Sequence, residues 1–275
     1  MSNNMSEVSN TTTADKAAVP KKIKDPLWKR LYFAFSLLVM VVLVAHFAWV
    51  ASGSGEWKLA KDEDGIKVYT SKAPGDTLLK ARTVMEGDYT LTQLVSQHIG
   101  VGDTLQVCIE WIPGCKDFKR IMPFNPQRGY DRDLWRVAMP GPLADRELLI
   151  STIFQQDKAT KEVTLDVVSM PNSAPLTPGV VRIERLHNQW TYTPMPSGKV
   201  QVALIQDVGF SEVGFMPYFL LNVSLVDSAH KFFATTLRST LLEDKYVNAK
   251  VDLVDLEDIR PAGFSQATRQ TASSH

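Results

Sequence analysis

MPYFLLNVSLVDSAHKFFATTLRSTLL, residues 216–242, is the stretch whose reading decides the fold. Phe219, Val223, Val226, Phe233, Leu237 and Leu241 recur at steps of three, four or seven. They therefore line one face of a helix over Pro217–Leu242 that is about 39 Å long at ~1.5 Å per residue. A long amphipathic helix that follows many strand-like segments has two roles open to it. Either it closes a solid core, or a sheet curls around it.

Working back from that helix, the pattern is almost wholly period two. Strands are predicted at 117–123, 129–139, 147–156, 162–169, 180–186, 189–194 and 199–210, separated by Pro, Gly, Asn and Asp. This spacing implies hairpins and an antiparallel sheet. Nearer the amino terminus, Trp57 and Leu59, then Ile66 and Val68, alternate with polar residues on either side of Asp64-Gly65, predicting two short strands and a tight turn. The acidic cluster Asp62-Glu63-Asp64 lacks the spaced oxygen ligands and closing Glu of a calcium loop. A third strand is expected at 77–86, and a short helix at 90–100 carrying Leu91, Leu94, Val95 and Ile99. Asp103 can cap another helix, which ends at Pro113-Gly114. The predicted class is α+β: an antiparallel sheet that must curve or be covered, with the last helix as its cover.

The 275 residues carry no net charge. Six of the 30 basic and three of the 30 acidic residues lie at or before Gly53, leaving 24 and 27 for the folded part, a balance that argues against nucleic acid as a partner. Residues 1–30 read as a disordered basic tail, rich in Ser, Thr and Asn before Lys21, Lys22 and Lys24. Residues 31–52 form an apolar run long enough to span a bilayer. Its Leu, Val and Phe residues favour insertion by on the order of 4 to 7 kcal/mol, more than His46 can offset. Six Lys or Arg precede the run and three follow it closely, so the amino terminus is expected in the cytoplasm and the folded domain outside it. Ala51-Ser52-Gly53 resembles a cleavage site, but the run exceeds the usual signal-peptide length, and an uncleaved anchor is expected.

Few residues stand out for chemistry. His46, His98, His187, His230 and His275 are scattered without metal-ligand spacing, and no phosphate loop or nucleophile elbow is present. Gly100-Val101-Gly102 reads as a turn rather than a dinucleotide fingerprint. Neither a cofactor nor a metal is expected. Cys108 and Cys115 either pair across their short loop or remain two free buried thiols. His230 shares the helix stripe, as a polar group inside a cavity or as a hydrogen-bonded or partly exposed residue. Arg146 and Arg182 each begin a predicted apolar strand, where a buried cation needs an anionic partner and an outward-facing or cross-strand-paired one does not.

Several segments together resemble the START (StAR-related lipid-transfer) family, as a bacterial-type, membrane-anchored member. Trp57 with Asp64-Gly65-Ile66-Lys67-Val68-Tyr69 is similar to its first strands, and Trp111-Ile112-Pro113-Gly114-Cys115 with Lys119-Arg120 to its tryptophan-centred segment. Pro140-Gly141-Pro142-Leu143-Ala144-Asp145-Arg146-Glu147 resembles its proline-pair Arg-Asp motif, with Glu147 in place of the Asp. Val181-Arg182, Trp190 and Pro194 fit its later strands, and Gly214, Pro217 and Asn222 its turn into the last helix. In place of the family's Asp-Pro-Gly-Gly loop the chain has Asp207-Val208-Gly209-Phe210-Ser211-Glu212-Val213-Gly214-Phe215.

The resemblance implies a helix-grip (START/Bet v 1-like) fold over residues 56–246, a curved antiparallel sheet around the carboxy-terminal helix, with 247–275 as a tail. It further implies one lipid, such as a phospholipid or sterol, in an apolar tunnel. On this reading Phe219, Val223, Val226, His230 and Phe233 form the tunnel wall with Trp111 and Trp135, while Arg146 and Arg182 meet the head group and Glu147 is an internal partner. The expected protein is a non-enzymatic lipid carrier, single-pass in the inner membrane with its domain on the periplasmic side. A cyclase, aromatase or hydrolase of the same fold and a scaffold with a solid core are the rivals.

Overall fold

The computed structural model describes residues 27–99, 104–112, 114–139, 141, 143–209 and 218–251. The chain divides into two compact units, residues 1–47 and 48–275. Helix α1 (Leu27–Ala51), which supplies the described part of the first unit, buries none of its side chains and has a mean hydropathy of 2.4 over its most apolar window. It is long and apolar enough to cross a membrane. Of the tail predicted over residues 1–30, residues 27–30 instead form the first turn of α1, and the rest lies outside the described residues.

The second unit opens with the predicted hairpin, β1 (Lys58–Glu63) and β2 (Ile66–Ser71). Glu63 pairs with Ile66, leaving Asp64 and Gly65 as a two-residue turn with φ of 54° and 73°. Both values are left-handed, which Gly adopts freely and Asp tolerates, so the Asp-Gly pair fixes the turn. Strand β3 (Lys80–Gly87) is followed by α2 (Leu91–Ser96), then α3 (Thr104–Trp111). Thr90 caps α2: its hydroxyl accepts from Gln93 N at 3.1 Å and the Gln93 side chain accepts from Thr90 N. The predicted cap Asp103 and the helix stop Pro113 lie outside the described residues, as does the Gly100-Val101-Gly102 turn.

Then come β4 (Cys115–Asn125), β5 (Tyr130–Val137), β6 (Arg146–Gln156), β7 (Val163–Ser169), β8 (Val181–Arg182), β9 (Arg185–Pro194) and β10 (Val200–Gly209). They form one sheet in the order β1-β2-β3-β10-β9-β7-β6-β5-β4, every neighbouring pair antiparallel. The strand predicted at 180–186 is a correction: it divides into the two-residue β8 and the first two residues of β9, and β8 runs parallel to the start of β6, with Glu147 opposite Arg182. Hydrogen bonds from Arg182 to Glu147 and to the carbonyls of Pro171, Ala174 and Pro175 hold it at that place.

The closing helix was expected as one α-helix. Instead α4 (Tyr218–Lys231) passes through a π-helical stretch, Phe232–Leu237, into α5 (Arg238–Leu241), and α6 (Asp244–Val247) follows. Its inner face packs on the sheet: Phe233, Leu237 and Leu241 are buried with Ile66, Val68 and Tyr192. The Gln93 side chain donates to Leu241 O, fastening α2 to the end of this helix. Tyr246 is fully buried and Val251 packs on the same core. The architecture is the helix-grip α+β fold. Residues 210–217 lie outside the described residues, as does the predicted tail beyond 251.

Candidate ligand cavity

Between the sheet and α4 lies a cavity of about 700 Å³, within the ~300–1,000 Å³ range of ordinary small-molecule sites. Alternation on the strands explains which side chains reach it. On β5, Asp133, Trp135 and Val137 point inward; on β6, Arg146, Leu148, Ile150 and Thr152 do. Leu186, Asn188 and Trp190 of β9 and Leu204, Gln206 and Val208 of β10 complete the sheet side. The closing helix contributes Leu221, Leu225 and Ala229, spaced to lie on one face of α4, and Phe232 at the start of the π-helical stretch. The solid-core alternative predicts no pocket above ~300 Å³ here.

One end is aromatic. Trp111 and Trp190 lie 5.8 Å apart, with Phe232 about equally close to both at 5.9 and 6.2 Å. His98 packs edge-on against Trp111 and shares a 2.8 Å hydrogen bond with the Tyr192 hydroxyl. Burial pushes the His98 pKa down to about 3, so its ring is neutral at ordinary pH. Beside it, both polar atoms of the Gln97 side chain are buried without a partner among the described residues.

Across the cavity, Arg120 of β4 donates in bidentate fashion to Asp133, from Nε at 3.0 Å and Nη2 at 3.1 Å. Burial works to lower the Arg120 pKa, but the hydrogen bond and charge of Asp133 and the charge of Asp131 raise it. Burial raises that of Asp133 against the pull of Arg120. The pair is a fixed polar spot in a largely apolar wall.

Of the residues singled out by sequence, Trp111, Trp135 and Arg146 line the cavity. Arg182 does not: its side chain is buried elsewhere, donating to Glu147 from Nε at 3.0 Å and again from Nη2, with three backbone carbonyls taking its other bonds. Burial works to raise the Glu147 pKa, but hydrogen bonds from Thr177 and Arg182 and the charges of Arg182 and Arg136 hold it below the ordinary value. The arginine is thus paired inside the protein, because β8 lies directly beside β6.

The five helix residues are a correction to the expected wall. Phe219 and Val223 are exposed, at 56% and 77%. Val226 packs on the core, Phe233 stacks on Trp190 at 5.9 Å, and His230 is buried against β1, sharing a 3.2 Å hydrogen bond with Glu63 O. None of the five is among the residues that line the cavity, and the neighbouring stripe through Leu221, Leu225 and Phe232 faces it. Asn222 fixes that rotation by donating to Thr77 O and accepting from Leu79 N, each at 2.9 Å.

Sequence reasoning missed the Arg120–Asp133 pair, His98 and Gln206. Period two offered a signal for the pair: Asp131, Asp133, Trp135 and Val137 must share one face of β5, and β4 places Arg120 opposite Asp133.

No protein-family model matches the chain. An uncharacterized protein of Pseudomonas aeruginosa is 28% identical over 197 residues, covering 70% of this chain and 91% of its own length. Among solved structures, a fragment of the STAR-related lipid transfer protein of Xanthomonas axonopodis superposes with a TM-score of 0.57 at 24% identity, over 68% of this chain and 99% of that one. Human STARD10 gives 0.52 at 16% identity, over 71% and 77% of the two chains. Human StAR-related lipid transfer protein 5 gives 0.52 at 15%, over 75% and 95%.

Proposed function

We propose that this chain, whose folded domain has the START fold of those lipid-transfer proteins, holds one amphiphilic lipid beside α4 and carries it without chemical change, tethered to a bilayer by α1. The observation that carries this reading is the cavity of about 700 Å³ with its mostly aliphatic and aromatic lining. Each methylene moved from water into such a wall gains about 0.8 kcal/mol, so an acyl chain or ring system is what the space rewards. Binding rather than catalysis is supported by the polar groups present: Asp133 is engaged by Arg120, and His98 is held neutral by burial.

The tether reading rests on the length and hydropathy of α1. Placement of the domain on the periplasmic side is supported by the basic flank before α1 and by the Cys108–Cys115 disulfide, a bond that persists in oxidising compartments. A tether raises the effective concentration of bilayer lipid at the cavity.

The test is native mass spectrometry of the full chain taken from membranes, followed by incubation with vesicles. A single bound amphiphile, recovered chemically unchanged, is the expected result. Protein that stays empty and takes nothing from vesicles would overturn the proposal, and a ligand altered on incubation would replace it with an enzyme.

A further inference from the structure

Residues 48–51, the last turn of α1, belong to the second compact unit and are clasped by the segment after β2. Trp49 Nε1 donates to Thr77 O at 2.8 Å, and Gly75 N donates to Val50 O at 2.7 Å. The buried Lys72 donates from Nζ to Ser52 O at 2.7 Å and to Val50 O at 3.4 Å, and its ammonium stands 5.0 Å from the centre of the Trp49 ring. These bonds take up carbonyls that a helix end leaves without partners of its own. The exit from α1 is therefore folded onto the domain: Gly53 has a φ of 105°, and a Cβ there would stand 2.3 Å from Lys72 O.

That joint lies beside an apolar surface. Thr77 O also accepts from Asn222 Nδ2 at 2.9 Å, so Trp49 and the first turns of α4 meet at one carbonyl. There α4 presents Phe219, Leu220 and Val223 to solvent, each more than half exposed. Antiparallel pairing puts the segments after β2 and after β7 at the same end of the sheet, and the second of them exposes Leu176 at 69%. Residues 73–79 and 170–180 hold one charged side chain between them, Asp76. At the opposite end the single turn 157–162 holds four, Asp157, Lys158, Lys161 and Glu162. An apolar, nearly uncharged surface around a tryptophan, at the point where an apolar span ends, matches the interfacial layer of a bilayer.

We infer that this end of the second unit, through Leu176, Phe219, Leu220 and Val223 beside Trp49, docks on the interfacial layer of the bilayer that α1 spans. The inference rests on the tether reading of α1. Docking there brings Leu221 and Leu225, cavity-lining residues of the same turns of α4, next to the lipid source.

The test places benzoylphenylalanine singly at Leu176, Phe219 or Val223, and at Thr160 or Ser197 in turns at the opposite end of the sheet, in the full chain reconstituted in phosphatidylcholine vesicles. None of these side chains lines the cavity, so a lipid held inside it is not what they report. After irradiation the vesicles are floated, and protein–lipid adducts are counted by mass spectrometry. The first three positions are each expected to give about tenfold more adduct than the other two, which a strand length of ~33 Å sets beyond the ~5–10 Å depth of interfacial burial.

Yields at Leu176, Phe219 and Val223 no higher than at Thr160 and Ser197, in protein that floats, overturn the inference and leave the tether standing. Protein that does not float with the vesicles overturns the tether reading, and this inference with it. Floating protein that gives the expected adducts but retains no ligand supports the docking face and overturns the lipid reading alone.

Discussion

Asp131 stands on the inner face of β5, with Oδ1 accepting from Thr152 N at 2.9 Å and Oδ2 buried without a partner among the described residues. Burial, then the charge of Asp133, pushes its pKa from 3.8 up to about 7. Between about pH 4 and 7 the folded state therefore keeps a proton that the unfolded chain has released. Stability from this group falls as pH rises through that window and levels off above it. From pH 5 to 8 the loss is expected to reach at most about 3 kcal/mol. Asp131→Asn, which keeps the Thr152 contact and cannot ionise, should lack this component. Urea midpoints at the two pH values check it, and parallel pH slopes for the two proteins would refute the assignment. The residue scale also explains why the two arginines diverged. Sequence placed both at the start of apolar strands, but whether a guanidinium meets a carboxylate depends on strand adjacency, and β8 beside β6 gave Arg182 the one at Glu147.

Among the elements, α3 and β4 are joined by the Cys108–Cys115 disulfide across a separation of seven residues, with Cα atoms 5.8 Å apart. Closing so short a loop in the unfolded chain is worth about 2–3 kcal/mol in the chain-entropy account. Reduction should lower the urea midpoint by a matching amount, and because α3 carries Trp111 it should also change the fluorescence of the aromatic end of the cavity. An unchanged midpoint in reductant would show that the loop is held by its packing alone. The long helix teaches the companion lesson. Its i, i+4, i+7 pattern was legible as an amphipathic helix, but the apolar residues occupy two stripes. Asn222 and the π-helical stretch decide which of them meets the cavity, and neither contact is readable from spacing.

For the molecule as a whole, an apolar helix of 25 residues precedes a compact unit built on one sheet. If α1 is an uncleaved anchor, full-length protein should stay in the membrane pellet through an alkaline carbonate wash, and protease added to spheroplasts should digest the domain from outside. A mature chain whose mass begins near Ser54 would show instead that α1 is a leader. Protection in spheroplasts with digestion after lysis would place the domain in the cytoplasm.

The sequence by itself determined the α+β class, the Asp64-Gly65 hairpin, most of the strands and the closing helix. These follow from periods of two and 3.6 and from turn chemistry, which act over a few residues. The START resemblance, which carries non-local information that periodicity lacks, puts Trp111 and Trp135 in the wall and Arg146 at the head group, and all three side chains line the cavity. Only the tertiary structure decided the rotation of α4 and the pairing of Arg120 with Asp133 and of Arg182 with Glu147. Each depends on which elements become neighbours and how far they slide, and such contacts join residues far apart in the chain, 145 positions for Asn222 and Thr77.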